Sequence, residues 1–409
     1  MSLAHGRDHL AIPGPSVIPS RVLQAMQRPA PNIYGGELVA LADSVRADLA
    51  TIARSANEPV IYLGNGHAAW EASLANVFAR GEHLLALVTG RFGRGWARMA
   101  DGLGIEVTTL DFGATTPADT SRLIESLTAD RRVGGGPRIK AITAVLSDTS
   151  TSVRNDIPAI RAAMDAADHP ALLMVDAICS FACEPIDMDG WGIDVMVAGC
   201  QKGLMTPPGL AFTFQNDRAI AARRSLGTAR CVTPYWDWLP RIEPSMFPER
   251  FGGTPPTHHL FGLRAALDLL AEEGIEHVWS RHEAFARVVW TAVEAWGADG
   301  GLALQVPDPA HRSHAVTTIG TAADDATRLR EWCEQEAGVT LGVGLSAGAA
   351  EAVTSDALFR IGHMGHLNPP MLLGTLGTID TALKALDIAH GSDALDRAAG
   401  AIAGINRGR

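Results

Sequence analysis

The 409-residue sequence has little charge and few aromatic residues, 19% and 6% of positions, and it lacks any excess of positive charge. Its 34 Lys and Arg stand against 45 Asp and Glu, a formal net charge of −11, the wrong sign for a protein that tracks phosphate backbones; nucleic acid is excluded as a partner. No uninterrupted apolar segment reaches the roughly 18 residues of a membrane span. The first ten residues carry His5, Arg7, Asp8 and His9 and no apolar run of the kind a secretory leader needs. Five cysteines, Cys179, Cys183, Cys200, Cys231 and Cys333, form neither a Cys-x-x-Cys pair nor a spaced zinc set. An odd count without a leader predicts reduced thiols and a cytoplasmic protein. The pairs His258-His259 and His363-x-x-His366 have no cysteine or carboxylate set beside them, so no metal site is expected.

What is present is apolar content, 47% of positions, enough for large cores in a chain too long for one ordinary domain. Leu38, Leu41, Ala42, Val45, Leu49, Ile52 and Ala53 fall at helical spacing and predict a helix from Glu37 to Arg54. Apolar runs at Val60–Leu63, Leu84–Val88, Ile105–Leu110, Ile139–Leu146, Leu172–Val175 and Val195–Ala198 then alternate with helical patterns near Ala68–Ala79, Gly93–Gly102, Thr120–Leu127 and Ile157–Ala166. Short apolar strands separated by helices predict an α/β sandwich whose mostly parallel sheet is buried on both faces. Gly134-Gly135-Gly136 reads as a surface turn, and the proline-rich and aromatic stretch Arg230–Pro256 as a long ordered loop. Helical patterns over Thr257–Glu273 and Ile275–Trp296 follow, then two strand-like runs with a helix between them and a final helix near Met371–Leu386. The division expected is an arm over 1–20, a large domain over 21–256 and a small α/β domain over 257–409.

The chemistry concentrates where strands end. Lys202 lies in Gly199-Cys200-Gln201-Lys202-Gly203, just past an apolar strand, where ligands of open α/β folds bind. Partial desolvation there favours the neutral amine that attacks an aldehyde, although a lone lysine is more commonly a solvated surface residue. Asp176 ends another strand, where a carboxylate can pair with a protonated pyridine nitrogen or simply cap the turn. Leu63-Gly64-Asn65-Gly66-His67-Ala68 joins a strand to a helix, and its amides offer an anion site, a pattern that any tight turn also produces. Arg360 interrupts an apolar strand in Leu358-Phe359-Arg360-Ile361, so it requires a carboxylate from the protein or from a substrate.

In this order the residues resemble a fold-type I enzyme dependent on pyridoxal 5′-phosphate (PLP). The chain is similar to class V aminotransferases of the alanine/serine-glyoxylate group. The resemblance runs through Pro13-Gly14-Pro15-Ser16, Gly64-Asn65-Gly66-His67 with Trp70-Glu71, Asp148-Thr149-Ser150-Thr151, Val175-Asp176, Gln201-Lys202 with Pro207-Pro208-Gly209, and Arg360-Ile361-Gly362-His363. It implies that Lys202 forms the internal aldimine and shuttles the substrate proton, and that Asp176 holds the pyridine nitrogen. It further implies that Phe92 stacks on the ring, that Gly66, His67 and Gln201 contact the phosphate, and that Thr149 stands near the ring oxygen. Thr254 would reach a neighbouring subunit's phosphate, giving a homodimer with composite sites. Ser16, Tyr34, Gly35 and Arg360 would face the substrate.

The implied reaction moves an amino group from alanine, serine or aspartate to a 2-oxo acid such as glyoxylate or pyruvate, by a ping-pong route. Arg360-Ile-Gly-His-Met-Gly also resembles pyridoxamine-pyruvate aminotransferase, and neighbouring class V members are lyases or desulfurases. A desulfurase needs a mobile cysteine late in the chain, where only Cys333 stands, inside a helical pattern. The chain departs from the family pattern at Asn65, where serine or threonine is usual, at Phe251, where some relatives have tyrosine, and at Ser152, which replaces a common glycine.

Overall fold

Apolar side chains gather into three main cores, and the computed structural model describes residues 3–131, 136–227, 233–322, 324–346 and 354–405 around them. Cys231 and the glycines at 134 and 135 lie outside the described residues, as do positions 228–232 of the proline-rich stretch. No helix among the described residues is long and apolar enough to cross a membrane.

The chain opens with strand β1 (His9–Ala11) and helices α1 (Ser20–Met26) and α2 (Glu37–Ala53). Helix α2 buries Leu38, Ala42, Val45, Leu49 and Ile52 along one face and stops at Arg54, whose φ of 50° leaves the helical region. The alternating section then runs β2 (Val60–Gly64), α3 (Gly66–Val77), β3 (His83–Val88), α4 (Arg91–Gly102), β4 (Glu106–Asp111), α5 (Thr120–Arg131), β5 (Ile139–Val145), α6 (Ile157–Ala166), β6 (Leu172–Asp176), β7 (Val195–Gly199) and β8 (Gly209–Gln215). Its seven strands lie in the order β2-β8-β7-β6-β5-β3-β4, and β7 through β4 pair in parallel. Strand β8, which the sequence pattern does not reveal, is antiparallel to both of its neighbours, making the sheet mixed.

Burial on both faces holds for the inner strands and fails at β4. There Glu106, Thr108, Thr109 and Asp111 are exposed, because β4 is the sheet edge and a polar edge resists pairing with another chain. The parallel arrangement brings the carboxyl ends of β3, β5, β6 and β7 to one rim, and Gly64 at the end of β2 joins them.

Helix α7 (Asp217–Ser225) follows. The Arg230–Pro256 stretch is less irregular than its sequence suggests, since it contains the short helix α8 (Leu239–Ile242) and a 3-10 turn over Phe247–Phe251. Trp238 and Phe251 are buried within it. Then come α9 (Thr257–Glu273), α10 (Ile275–Trp296), β9 (Leu302–Leu304), β10 (Val316–Thr321), α11 (Asp325–Ala337), β11 (Val339–Leu345), β12 (Thr354–Gly362), α12 (Pro369–Ala385) and α13 (Ala394–Ile405).

This second part holds four strands where two are expected, and β1 completes a five-stranded sheet, β1-β11-β12-β10-β9. His9 registers with Val339 and Ala11 with Leu341, so the N-terminal arm is stitched to the far end of the chain. The last helix is α13 and not the one ending near Leu386; its Ala-rich and Gly-rich sequence gives little apolar contrast to detect. Leu260, Phe261, Leu263, Leu267 and Leu270 of α9 and Val278 of α10 belong to the first core, whereas Phe285 onward belongs to the second. We therefore propose that the two units divide within α10 rather than at 256/257.

Candidate active site

Lys202 sits one turn beyond β7, partly buried, and its Nζ donates to the main-chain carbonyl of Pro13. The N-terminal arm is moulded to it. Gly14 has φ +94°, and a Cβ there would lie 2.5 Å from the lysine Nζ, so glycine is demanded twice over. Ser16 N–H donates to Gln201 O at 3.0 Å, and its hydroxyl donates to Lys202 O at 2.7 Å. Burial lowers the Lys202 pKa, and repulsion from Arg360 adds to it, against the attraction of Asp176. The amine is thus shifted toward the neutral form that adds to a carbonyl.

Asp176, the last residue of β6, is 3% exposed. Its Oδ1 accepts from Ile178 N–H at 2.7 Å, the turn-capping bond, while Oδ2 accepts from the Trp70 indole at 2.9 Å. Burial pushes its pKa up to about 7; the two donors and Lys202 pull the other way.

Helix α3 begins at the rim with Asn65 as its cap, the side-chain oxygen accepting from His67 N–H at 3.1 Å. Asn65 therefore fills the role expected of a small hydroxyl residue. A Cβ at Gly66 would meet Ile178 Cδ1 at 2.4 Å, so any larger residue would displace that side chain where the helix start approaches the β6 turn. The start of α4 is capped from a distance by Asp148, whose Oδ2 accepts from Phe92 N–H at 3.0 Å and Gly93 N–H at 3.2 Å. The backbone of Phe92 is thereby fixed at the rim, and its partly buried ring both lines the cavity and packs against the core that holds Trp70. Ser152 takes φ 66°, a left-handed conformation that glycine adopts more readily; its hydroxyl donates to Thr318 at 2.7 Å.

Gly66, His67, Phe92, Thr149, Asp176, Gln201 and Lys202 line one cavity of about 240 Å³, together with Asn65, Trp70, Ser147, Ile178 and Cys179. A larger hollow of about 530 Å³ beside α10 and α13 contains no lysine or buried aspartate. Arg360 stands behind the cavity wall, Nη1 donating to Thr149 O at 2.8 Å and Nε to Val343 O at 2.8 Å. It forms no ion pair among the described residues, and burial lowers its pKa to about 10. A guanidinium held this way, with no partner on Nη2 among the described residues, is suited to an incoming carboxylate.

Tyr34, Gly35 and Thr254 are not brought to this cavity. Tyr34 is 74% exposed, nothing lies within 4 Å of a Cβ added at Gly35, and Thr254 is exposed. Trp70 and Asp148 carry structural roles here that residue type alone does not announce. Trp70 could have been placed from spacing, since it lies four residues after Gly66 on the same helix face.

The class-V aminotransferase family model matches residues 10–368, from within β1 through the lysine loop to beyond Arg360. The chain is 35% identical to a serine–glyoxylate aminotransferase of Methylorubrum extorquens over 385 residues, 92% of this chain and 91% of the relative. It is 32% identical to an L-aspartate–glyoxylate aminotransferase of Paracoccus denitrificans, covering 93% and 92% of the two chains. The crystal structure of pyridoxamine-pyruvate aminotransferase from Mesorhizobium loti superposes with a TM-score of 0.87 at 25% identity, over 99% of this chain and 100% of that one. The mixed seven-stranded sheet with its smaller C-terminal sheet is accordingly the fold-type I aminotransferase fold, and the chain belongs to the class-V aminotransferases, in the glyoxylate aminotransferase group.

Proposed function

We propose that the chain binds pyridoxal 5′-phosphate in the 240 Å³ cavity and moves an amino group from a small amino acid to a 2-oxo acid such as glyoxylate or pyruvate. The observation that carries this reading is one cavity shared by a desolvated lysine amine and a buried strand-end aspartate, with an arginine behind it that has no carboxylate partner among the described residues.

The residues present fit the cofactor. The capped start of α3, with Gly66 and His67, suits its phosphate, Phe92 suits a ring face, and Asp176 has lone pairs left for a protonated ring nitrogen. The cofactor would supply an electron-withdrawing ring that spreads the charge left when the donor's Cα–H bond breaks. Lys202 Nζ takes that proton and returns it, Asp176 holds the proton at the ring nitrogen, and Arg360 Nη2 grips the α-carboxylate of donor and acceptor alike. Thr149, 6% exposed, lines the cavity and accepts from Arg360 through its carbonyl, which couples the two halves of the site.

Tyr34, Gly35 and Thr254 are assigned to the cavity of a partner subunit in a homodimer. An interface there would cover the exposed side chains of Tyr34 and Leu63, the latter adjoining the glycine-rich start of α3.

Titrating the cofactor-loaded protein with alanine, serine or aspartate tests the reading. One donor bleaches the visible band and glyoxylate or pyruvate restores it; absence of any band after PLP addition overturns the assignment of Lys202. The likeness to pyridoxamine-pyruvate aminotransferase makes pyridoxamine a second donor to include, and bleaching by pyridoxamine alone would select that activity. The desulfurase reading has no support, since Cys333 is buried in α11 with its thiol pushed up to about 12 by burial.

A further inference from the structure

The carboxylate of Asp176 is held from behind by an aromatic ring that is itself immobilised. Trp70 is 2% exposed, lies nearly parallel to Trp96 with centroids 6.1 Å apart and 14° between planes, and meets the edge of Phe92 at 6.2 Å. A Cβ added at Gly95 would come within 3.2 Å of the indole, so the backbone of α4 closes its remaining side. With the ring wedged, its N–H has one direction to point, and Asp176 Oδ2 receives it at 2.9 Å. Ile178 N–H takes the other oxygen at 2.7 Å. A carboxylate has about four lone-pair positions; two are used by these donors, and the rest serve the cavity that Asp176 lines.

We propose that Trp70 is a positioning residue for Asp176, setting the plane of the carboxylate so that its free lone pairs meet the ring nitrogen of pyridoxal phosphate. This rests on the cofactor reading given above. A donor to a buried carboxylate also favours its ionised form, which matters because burial already drives Asp176 toward protonation. The other groups acting on it are Asp148, which raises its pKa, and Lys202, which lowers it; His67 lies against Trp70 with ring centroids 4.6 Å apart.

The test is Trp70→Phe, which keeps an apolar ring and removes the donor, made in the natural chain and in Asp176→Asn. The readouts are the dissociation constant of pyridoxal phosphate by equilibrium dialysis and the pH at which acid releases the cofactor. In the natural chain Trp70→Phe weakens retention about tenfold and moves the acid release midpoint up by about one pH unit. In the Asp176→Asn background the same change has less than about a twofold effect, because the group through which Trp70 acts is gone. Equal weakening in both backgrounds, or an unmoved midpoint, assigns Trp70 to packing alone and overturns the inference.

If Trp70→Phe does not fold, indole-labelled natural protein answers the same question by nuclear magnetic resonance. One indole N–H signal must shift on cofactor loading and be displaced in Asp176→Asn; no such signal overturns the inference. Failure of the natural protein to retain any pyridoxal phosphate overturns the cofactor reading itself, an outcome separable from normal retention that Trp70 does not influence.

Discussion

The hydroxyl of Ser16 donates a 2.7 Å hydrogen bond to the main-chain carbonyl of Lys202, joining residues 186 positions apart. The N-terminal arm is thus part of the lysine's mounting, tied at its other end to β11 through β1. Ser16→Ala removes one buried hydrogen bond worth about 1 kcal/mol, enough to lower the melting temperature by about 1–2 °C in a chain of this size. The Michaelis constant for the amino donor stays within about twofold if Ser16 acts on Lys202, and rises tenfold or more if its hydroxyl grips the substrate instead. Steady-state kinetics alongside a thermal melt separates the two.

Arg360 gives the sharpest kinetic expectation. Its Nε and Nη1 are spent on the carbonyls of Val343 and Thr149, so the guanidinium is fixed before any substrate arrives. Arg360→Met removes the charge while nearly keeping the length. The Michaelis constants for amino acid and oxo acid rise by roughly two orders of magnitude, as expected for loss of a buried charge-assisted bond, while pyridoxal phosphate retention is unchanged. Loss of the cofactor in this variant would mean that Arg360 serves the cofactor and not the carboxylate.

Asp176 predicts how the cofactor-free protein responds to pH. Burial raises its pKa to about 7, above the ordinary 3.9 or so of an unfolded chain, so between those values the folded state holds a proton that the unfolded state has released. Stability therefore falls as pH rises through this window, by at most about 1.4 kcal/mol per pH unit. Lys202 acts with the opposite sign in the alkaline range, where its lowered pKa makes stability rise with pH up to its unfolded value. Chemical denaturation of the apoprotein at pH 5 and 7.5 measures the first effect, and Asp176→Asn abolishes it. A slope unchanged by that substitution would locate the titrating group elsewhere.

The layered α/β fold was legible because strand interiors such as Leu172–Asp176 and Val195–Gly199 are buried apolar runs between amphipathic helices. That Lys202, Asp176 and Gly66 meet at one cavity was legible because strand ends and a glycine-rich helix start are where such folds bind ligands. Strand β8 was not, since Gly209 and the prolines before it read as turn, and its antiparallel pairing to β2 and β7 is a long-range property. Strands β11 and β12 have glycines and mixed burial that blur a period of two, and they pair with each other through a register shift between Val343 and Gly344. The role of Trp70 escaped because an indole in a helix looks like core until the carboxylate it touches, 106 residues away, is placed beside it.

Glu184 ties the two units behind the cavity. It is fully buried and accepts from Ser147 Oγ at 2.8 Å, Ser313 Oγ at 2.7 Å and His314 N–H at 2.8 Å, with Arg154 3.5 Å away. Burial alone would raise its pKa, yet Arg154, His314 and the two serines together hold it below the usual carboxylate range. Its stabilisation is present above the unfolded pKa near 4.3 and is lost as pH falls through the folded value. Glu184→Gln, which faces those donors with an amide, destabilises the protein by about 2–3 kcal/mol at pH 7. The deficit narrows toward pH 3 in denaturant titrations; a deficit that does not change with pH would show that shape, not charge, is at work.

The exposed positions of Tyr34 and Thr254 lead to a subunit-mixing experiment. If Thr254 contributes to its partner's cavity, Lys202→Ala and Thr254→Glu are complementary lesions: the first removes the amine from its own site, and the second sets a carboxylate against the partner's phosphate. Each homodimer is inactive. In a hybrid dimer both lesions fall in one cavity and leave the other intact, so an equimolar mixture dissociated and reassembled at random regains about a quarter of natural activity, half the dimers having one working site of two. Were Thr254 to serve the cavity of its own subunit, each hybrid site would carry one lesion and the mixture would stay inactive. Recovery on mixing thus separates a composite site from a self-contained one, and the sedimentation behaviour of the natural protein independently reports whether the dimer forms.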